Sequence, residues 1–148
     1  MRHPVLLQHM VSRVLVAMDD SEMAEKALTY ALENFPAAAV TVLTVVGEPS
    51  MMMGKSMSLA FEDDIEAAAR ERAESVLERA RATAAEHDAE VKTAVTLGRP
   101  ARAIVERAKA FDTVVIGSHG GDMADRLFVG NVAETVFKRS PVPVVVVR

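Results

Sequence analysis

The sequence predicts an α/β fold: a single doubly wound, five-stranded parallel sheet in the order 3-2-1-4-5 with helices on both faces. Short apolar, β-branched runs recur five times, amphipathic stretches of helical period separate them, and glycine, proline and capping residues mark each change. Strands joined by helical crossovers lie parallel with right-handed connections, and such a sheet is covered on both faces. The 148 residues, 50% of them hydrophobic, are enough to hide about two-thirds of the unfolded surface in one core. Residues 11–148 are expected to form one domain. Residues 1–10 are expected to be a flexible N-terminal extension, because Met10-Val-Ser-Arg-Val-Leu-Val16 reads as a natural beginning.

The continuous apolar run Arg13-Val-Leu-Val-Ala-Met18 reads as a strand buried on both faces. Asp19, Asp20 and Ser21 are each able to cap the helix behind it. Its apolar positions Ala24, Ala27, Leu28, Ala31, Leu32 and Phe35 follow the i, i+3, i+4, i+7 rule until Pro36 stops it. Val40 to Val46 is β-branched and forms the second strand, followed by a loop of a dozen or so residues punctuated by Gly47, Pro49 and Gly54. From Phe61 a long, half-exposed helix carries Ile65, Ala69, Ala73, Val76, Leu77, Ala80 and Ala84 on one face, with Glu and Arg opposite. Val91, Thr93 and Val95 alternate in a third strand. Pro100 then opens a short helix whose inner side is Ala101, Ile104, Val105 and Ala108. Thr113 to Ile116 is the fourth strand. After a glycine-rich segment, a helix sets Val132, Ala133, Val136 and Phe137 on one side, and Pro141 and Pro143 introduce a last strand ending at Val147.

Composition removes several functions. The net charge is -4, and 17 Lys and Arg are interspersed among 21 Asp and Glu, while five Phe, one Tyr and no Trp leave little to stack on bases. Nucleic-acid binding needs a basic stripe, so no nucleic-acid partner is expected. The absence of Cys excludes disulfides, thiolate metal sites and Cys nucleophiles. The longest apolar run, Val142 to Val147, is far too short to span a membrane, and Pro4, Gln8 and His9 interrupt any signal-like start. The expected location is the cytoplasm.

In a doubly wound sheet, ligands bind beyond the carboxyl ends of the strands where the winding reverses, here between the first and fourth strands, which makes Asp19 and Gly117 neighbours. The segment Gly117-Ser-His-Gly120-Gly121 through Arg126 to Gly130-Asn131 joins a strand end to a helix start. Its glycines let backbone N–H groups converge on an anion, the helix adds its positive end, and Arg126 supplies a cation.

The spacing Gly117-x2-Gly120-x9-Gly130 resembles the nucleotide-binding signature of the universal stress protein family, in its ATP-binding subgroup. Val16-Ala-Met-Asp19-Asp-Ser-Glu22, Leu97-Gly-Arg-Pro-Ala-Arg-Ala-Ile104 and Ser140-Pro-Val-Pro-Val-Val-Val-Val147 are similar to its first turn, third-strand exit and closing strand. The resemblance covers residues 11–148. It implies a Rossmann-like fold of the adenine nucleotide alpha-hydrolase-like type, and ATP as ligand, alone or with Mg or Mn. By resemblance Asp19 contacts ribose, Val45 the adenine, and Gly117, Gly120, Gly130 and Asn131 the phosphates. His119, Arg126 and Val132 complete the candidate nucleotide-binding set. The resemblance also implies a homodimer through the closing strand, Val142 to Val147, which self-pairing would protect as an apolar edge.

Two positions depart from the family pattern. Asn131 replaces the usual Ser or Thr, keeping a good N-cap and amide donors, and Asp20 replaces the usual Gly. Asp122 and Asp125 sit in the anion-receiving loop, where a divalent cation travelling with the nucleotide would relieve repulsion. No dedicated protein metal site is expected. Gly54-Lys55-Ser56 echoes the end of a Walker sequence without its first glycine, and Met51, Met52, Met53 and Met57 read as an apolar flap. Ser118 and His119 lack a nucleophile elbow. With Arg126 but no Walker lysine, the expected activity is nucleotide binding with little or no hydrolysis, and no catalytic residues are assigned. The alternatives are an interaction protein that binds no nucleotide and a weak ATPase.

Overall fold

The computed structural model describes residues 11–47, 55–119 and 130–148, the side chains of residues 55–66 excepted. Strand β1 (Arg13–Ala17) is buried at four successive positions. It lies at the centre of the sheet, parallel to β2 (Ala39–Val46) on one side and β4 (Thr113–Gly117) on the other. The edge strands are β3 (Val91–Leu97) and β5 (Val144–Val147), and the order is β3-β2-β1-β4-β5, as the sequence predicts. Leu15 stands opposite Thr41 and Val114, and Ala17 opposite Leu43 and Ile116.

Alternation along β1 feeds two cores. Val14, Val16 and Met18 pack beneath helices α1 (Glu22–Asn34) and α2 (Lys55–Glu86), meeting Leu28, Val76 and Leu77. Leu15 and Ala17 face the opposite way, toward α3 (Pro100–Ala108) and α4 (Asn131–Arg139), meeting Ile104, Ala108, Ala133 and Val136. Each buried Leu, Val or Ile contributes about 1.5–3 kcal/mol relative to exposure. That α1 and α4 cover opposite faces has a geometric result: the chain leaves β1 and β4 in opposite directions and opens a crevice beyond their carboxyl ends.

Of the three possible caps of α1, Ser21 takes the role, its Oγ accepting the Ala24 N–H at 3.1 Å. At the other end the Phe35 N–H reaches the Ala31 carbonyl, and the Phe35 ring meets Tyr30 edge-on with centroids 6.4 Å apart. Asp88, at φ 55°, lets the chain turn out of α2 while the Ala89 N–H bonds the Ala84 carbonyl.

Two expectations are corrected. Helix α2 begins at Lys55 instead of Phe61, because Lys, Met, Leu and Ala between them are good helix formers though they lack a clean apolar period. Lys55 and Ser56 therefore sit in a helix and not in a phosphate loop, while Met51 to Gly54 lie outside the described residues. On α4 only Ala133 and Val136 are buried. Phe137 is 63% exposed and Val132 37%, because α4 covers the last two strands and nothing among the described residues packs on its outer flank. The N-terminal extension, residues 1–10, lies outside the described residues.

Two titratable groups tie segments far apart in sequence. The Asp112 carboxylate accepts the Ser12 N–H (3.0 Å), the Arg13 N–H (2.8 Å) and the Ser12 hydroxyl (3.0 Å), anchoring the entry of β1. These donors hold its pKa below the usual carboxylate range. His87 at the end of α2 has Nδ1 against the Thr83 carbonyl (3.0 Å) and Nε2 against the Glu33 carboxylate of α1 (3.5 Å). Both neighbours are acceptors, so the doubly protonated ring suits both, and Thr83 first, with Glu33 and Glu86, raises the pKa against partial desolvation.

The signs are opposite. A lowered carboxylate pKa gives stability that is present above the unfolded value and lost as pH falls through the folded one; a raised imidazole pKa gives stability present at low pH and lost as pH rises through the folded value. Thermal melts across pH should show Asp112→Ala below the parent protein at neutral pH, with the gap closing in acid. His87→Ala should lie below it in mild acid, with the gap closing on the alkaline side. Parallel curves for either variant would contradict the assignment.

Candidate functional site

The crevice holds a cavity of about 240 Å³, lined from the ends of β1, β2 and β4 and the first turns of α1, α3 and α4. Its inner wall is apolar: Ala17, Leu43, Val45, Ile104 and Ile116. Its polar lining comes from Asp19, Ser21, His119 and Asn131. Of the nine sequence-derived candidates, Asp19, Val45, Gly117, His119, Gly130, Asn131 and Val132 all border this one cavity. Gly120 and Arg126 lie outside the described residues, as do Asp122 and Asp125.

Asp19 is held in place by its own turn: Oδ1 accepts the Ser21 N–H at 2.9 Å, so the carboxylate sits where β1 hands over to α1. On the facing strand, Gly117 has no space for a side chain. A Cβ there would meet Met23 Cγ at 2.8 Å and the Met23 carbonyl oxygen at 3.0 Å, so the glycine lets α1 pass close over the end of β4. Beyond it, the Ser118 N–H donates to the Val147 carbonyl at 2.7 Å, and the Gly130 N–H donates to the Ser118 carbonyl. The two flanks of the glycine-rich segment are thereby joined.

His119 is nine-tenths buried. Its Nδ1 lies 3.0 Å from Ser118 Oγ, and its Nε2 is buried with no hydrogen-bond partner among the described residues. A polar atom so placed carries a desolvation cost of about 1–3 kcal/mol. A Cβ on Gly130 would press on His119 Cα at 3.2 Å, so glycine is also needed where α4 starts. Gly130 caps α4 without a side chain, and the first intrahelical bond runs from the Glu134 N–H to the Gly130 carbonyl. The amides of Asn131, Val132 and Ala133 precede that bond at the positive end of the helix, and all three residues line the cavity.

Sequence reasoning did not find Ser21, Leu43, Pro100 or Ile104 as lining residues, nor Met23 as the neighbour of Gly117. Pro100 had a signal, since it stands at the exit of β3 on the carboxyl side of the sheet. The others are ordinary cap or core residues whose role depends on how the helices dock.

The pattern of the universal stress protein family matches residues 10–148. The chain belongs to that family. Among its relatives, the universal stress protein YxiE of Bacillus subtilis is 30% identical, the similarity covering 94% of this chain and 100% of YxiE. The solved structure of MJ0577, a universal stress protein of Methanocaldococcus jannaschii, superposes with a TM-score of 0.78 at 29% identity, over 93% of this chain and 96% of that one. A universal stress protein solved in complex with cAMP shares the fold at 24% identity and a TM-score of 0.66, covering 94% and 98% of the two chains. More distant neighbours in the family were solved with dAMP and with AMP.

The close approach at Gly117 gives a stability test. Gly117→Ala should destabilise the protein by about 1–3 kcal/mol in denaturant melts, the usual cost of overpacking where backbone must move. A loss well under that range would mean that α1 is free to withdraw from β4.

Proposed function

We propose that this universal stress protein is an adenine-nucleotide-binding module of the stress response that holds ATP in the crevice with little or no hydrolysis. The observation that carries this reading is the convergence on one cavity of an apolar wall, a turn-fixed carboxylate and the uncapped start of α4. The Asp19 carboxylate is suited to accept hydrogen bonds from ribose hydroxyls, Val45 to cover the base, and the amides from Asn131 to Ala133 to meet phosphate oxygens. The cavity is small beside the usual ligand-site range of about 300–1,000 Å³, which suits a nucleotide with base and sugar enclosed and phosphates at the mouth. Gly120 and Arg126, from the sequence, and the His119 Nε2, which has no partner among the described residues, are assigned to the same proposed phosphate end.

Phosphoryl transfer needs strong neutralisation of the transferred group, and for this the sequence offers Arg126 but no Walker lysine. This supports binding without efficient turnover, with Mg or Mn accompanying ATP. The reading takes in a cytoplasmic location and a homodimer through Val142 to Val147. Strand β5 supports the latter, being an edge strand of four half-buried valines.

Isothermal titration with ATP, ADP, AMP and cAMP should show saturable binding by at least one of them. Asp19→Ala should weaken it by roughly tenfold or more, since a hydrogen bond to a charged group contributes about 1.5–3 kcal/mol. No heat with any of the four would remove the proposal and favour an interaction protein that takes no nucleotide. Robust multiple turnover by the pure protein would remove the non-enzyme part. In sedimentation equilibrium at micromolar concentration the protein should run as a dimer, and a monomer would count against pairing through β5.

A further inference from the structure

The residues that follow β3 build a second concavity that the nucleotide reading does not use. It is open, about 1020 Å³ in volume, and lies between the carboxyl end of β3 and the outer face of α3. Arg99, Arg102 and Arg107 line it together with Glu106 and the 45%-exposed Leu97. On a helical wheel Arg102, Glu106, Arg99 and Arg107 share one face of α3, opposite the inward Ile104 and Ala108. Glu106 is already paired with Lys109 at 3.0 Å, and none of the three guanidinium groups has an ion pair or hydrogen bond among the described residues.

Two of the three arginines work against the helix that carries them, while Arg107 sits in its last turn. Arg99 is the N-cap and makes no side-chain cap bond, Arg102 lies in the first turn, and no acidic residue occupies that turn. Positive charge at the positive end of a helix is unfavourable. Local rules broken without a compensating contact tend to mark function. The three guanidinium groups also gather on a protein whose net charge is -4.

Beside the arginines runs an open sheet edge. Among the described residues, strand β3 pairs only with β2. The Gly98 N–H points inward to the Val46 carbonyl at 2.9 Å, so by alternation the N–H groups of Leu97, Val95 and Thr93 point outward. Val95 and Leu97 are exposed large apolar residues at this edge. An edge of this kind is a template for an added strand, in which main-chain bonds supply affinity and side chains supply selectivity.

The geometry points to a docking site for an extended acidic segment of a partner protein, added as a strand along β3 with its carboxylates meeting Arg99, Arg102 and Arg107. Bidentate Arg–carboxylate pairing suits this cluster. A second copy of this chain suits it less, because its own β3 would bring Lys92 and the same arginines to the edge.

The test uses the full chain without nucleotide, so its outcome is separate from that of ATP binding. The probe is a dye-labelled ten-residue peptide of alternating Glu and Val, followed by fluorescence anisotropy, with the Lys and Val counterpart as control. The expected result is saturable binding of the acidic peptide only, weakened by salt and weakened at least tenfold in an Arg102→Glu, Arg107→Glu double variant. Those exposed changes, one placing a carboxylate in the first turn of α3, leave the fold intact by circular dichroism. Val95→Pro, which removes one outward N–H, should weaken binding several-fold. If it disturbs the sheet, amide protection of Val95 and Leu97 on peptide binding serves instead. The proposal fails if the acidic peptide does not bind, if the charge-reversed variant binds it equally well, or if concentration-dependent self-association occupies the edge. It also fails if tripolyphosphate displaces the peptide completely while neither Val95→Pro nor amide protection shows any involvement of β3, which would make the cluster a small-anion site.

Discussion

Much of the site's architecture depends on the side-by-side pairing of β1 and β4 with their onward connections leaving to opposite faces. Each strand is buried on both sides, so the register between them is pinned by packing above and below as well as by the ladder. The divergence of the connections leaves the carboxyl ends without a covering helix between them among the described residues. The crevice thus follows from connectivity and needs no special residues to exist. What particular residues do is keep it narrow: Gly117 lets α1 approach, and the absent side chain at Gly130 lets α4 start against His119.

Several polar groups at the crevice have a structural task that also orients them. Asp19 holds the Ser21 N–H, and Ser21 in turn caps α1. The Ser118 amide holds the end of β5 while its carbonyl holds Gly130. Groups fixed in this way lose little further freedom when they engage a ligand, which is the physical content of preorganisation. His119 is the exception, with one ring nitrogen satisfied and the other without a described partner.

The fold was legible because its signals are local and agree with one another. The apolar run at Val14 to Met18, the caps at Asp19 to Ser21, Pro36 and Pro100 each report a boundary within a few residues, and parallel connectivity leaves few topologies to choose among. Seven of the candidate site residues were readable from strand ends and glycine spacing, since both are positions in the chain. Phe137 and Val132 were misjudged because a helical wheel identifies an apolar face without saying how wide a neighbour covers it. Ile104 at the cavity wall and Met23 against Gly117 were missed for the converse reason: their sequence signal is that of core, and only the docking of α3 and α1 puts them there.

The pairing of Tyr30 with Phe35 has an optical consequence. With one tyrosine and no tryptophan in the chain, near-ultraviolet absorbance and emission come almost wholly from a ring nine residues along α1 from Ser21. At the helical rise that is about 13 Å from the end that borders the crevice. Intrinsic fluorescence therefore reports the far end of α1 and stays largely blind to what occupies the pocket. A tryptophan introduced at a rim position would give the molecule a chromophore of its own there.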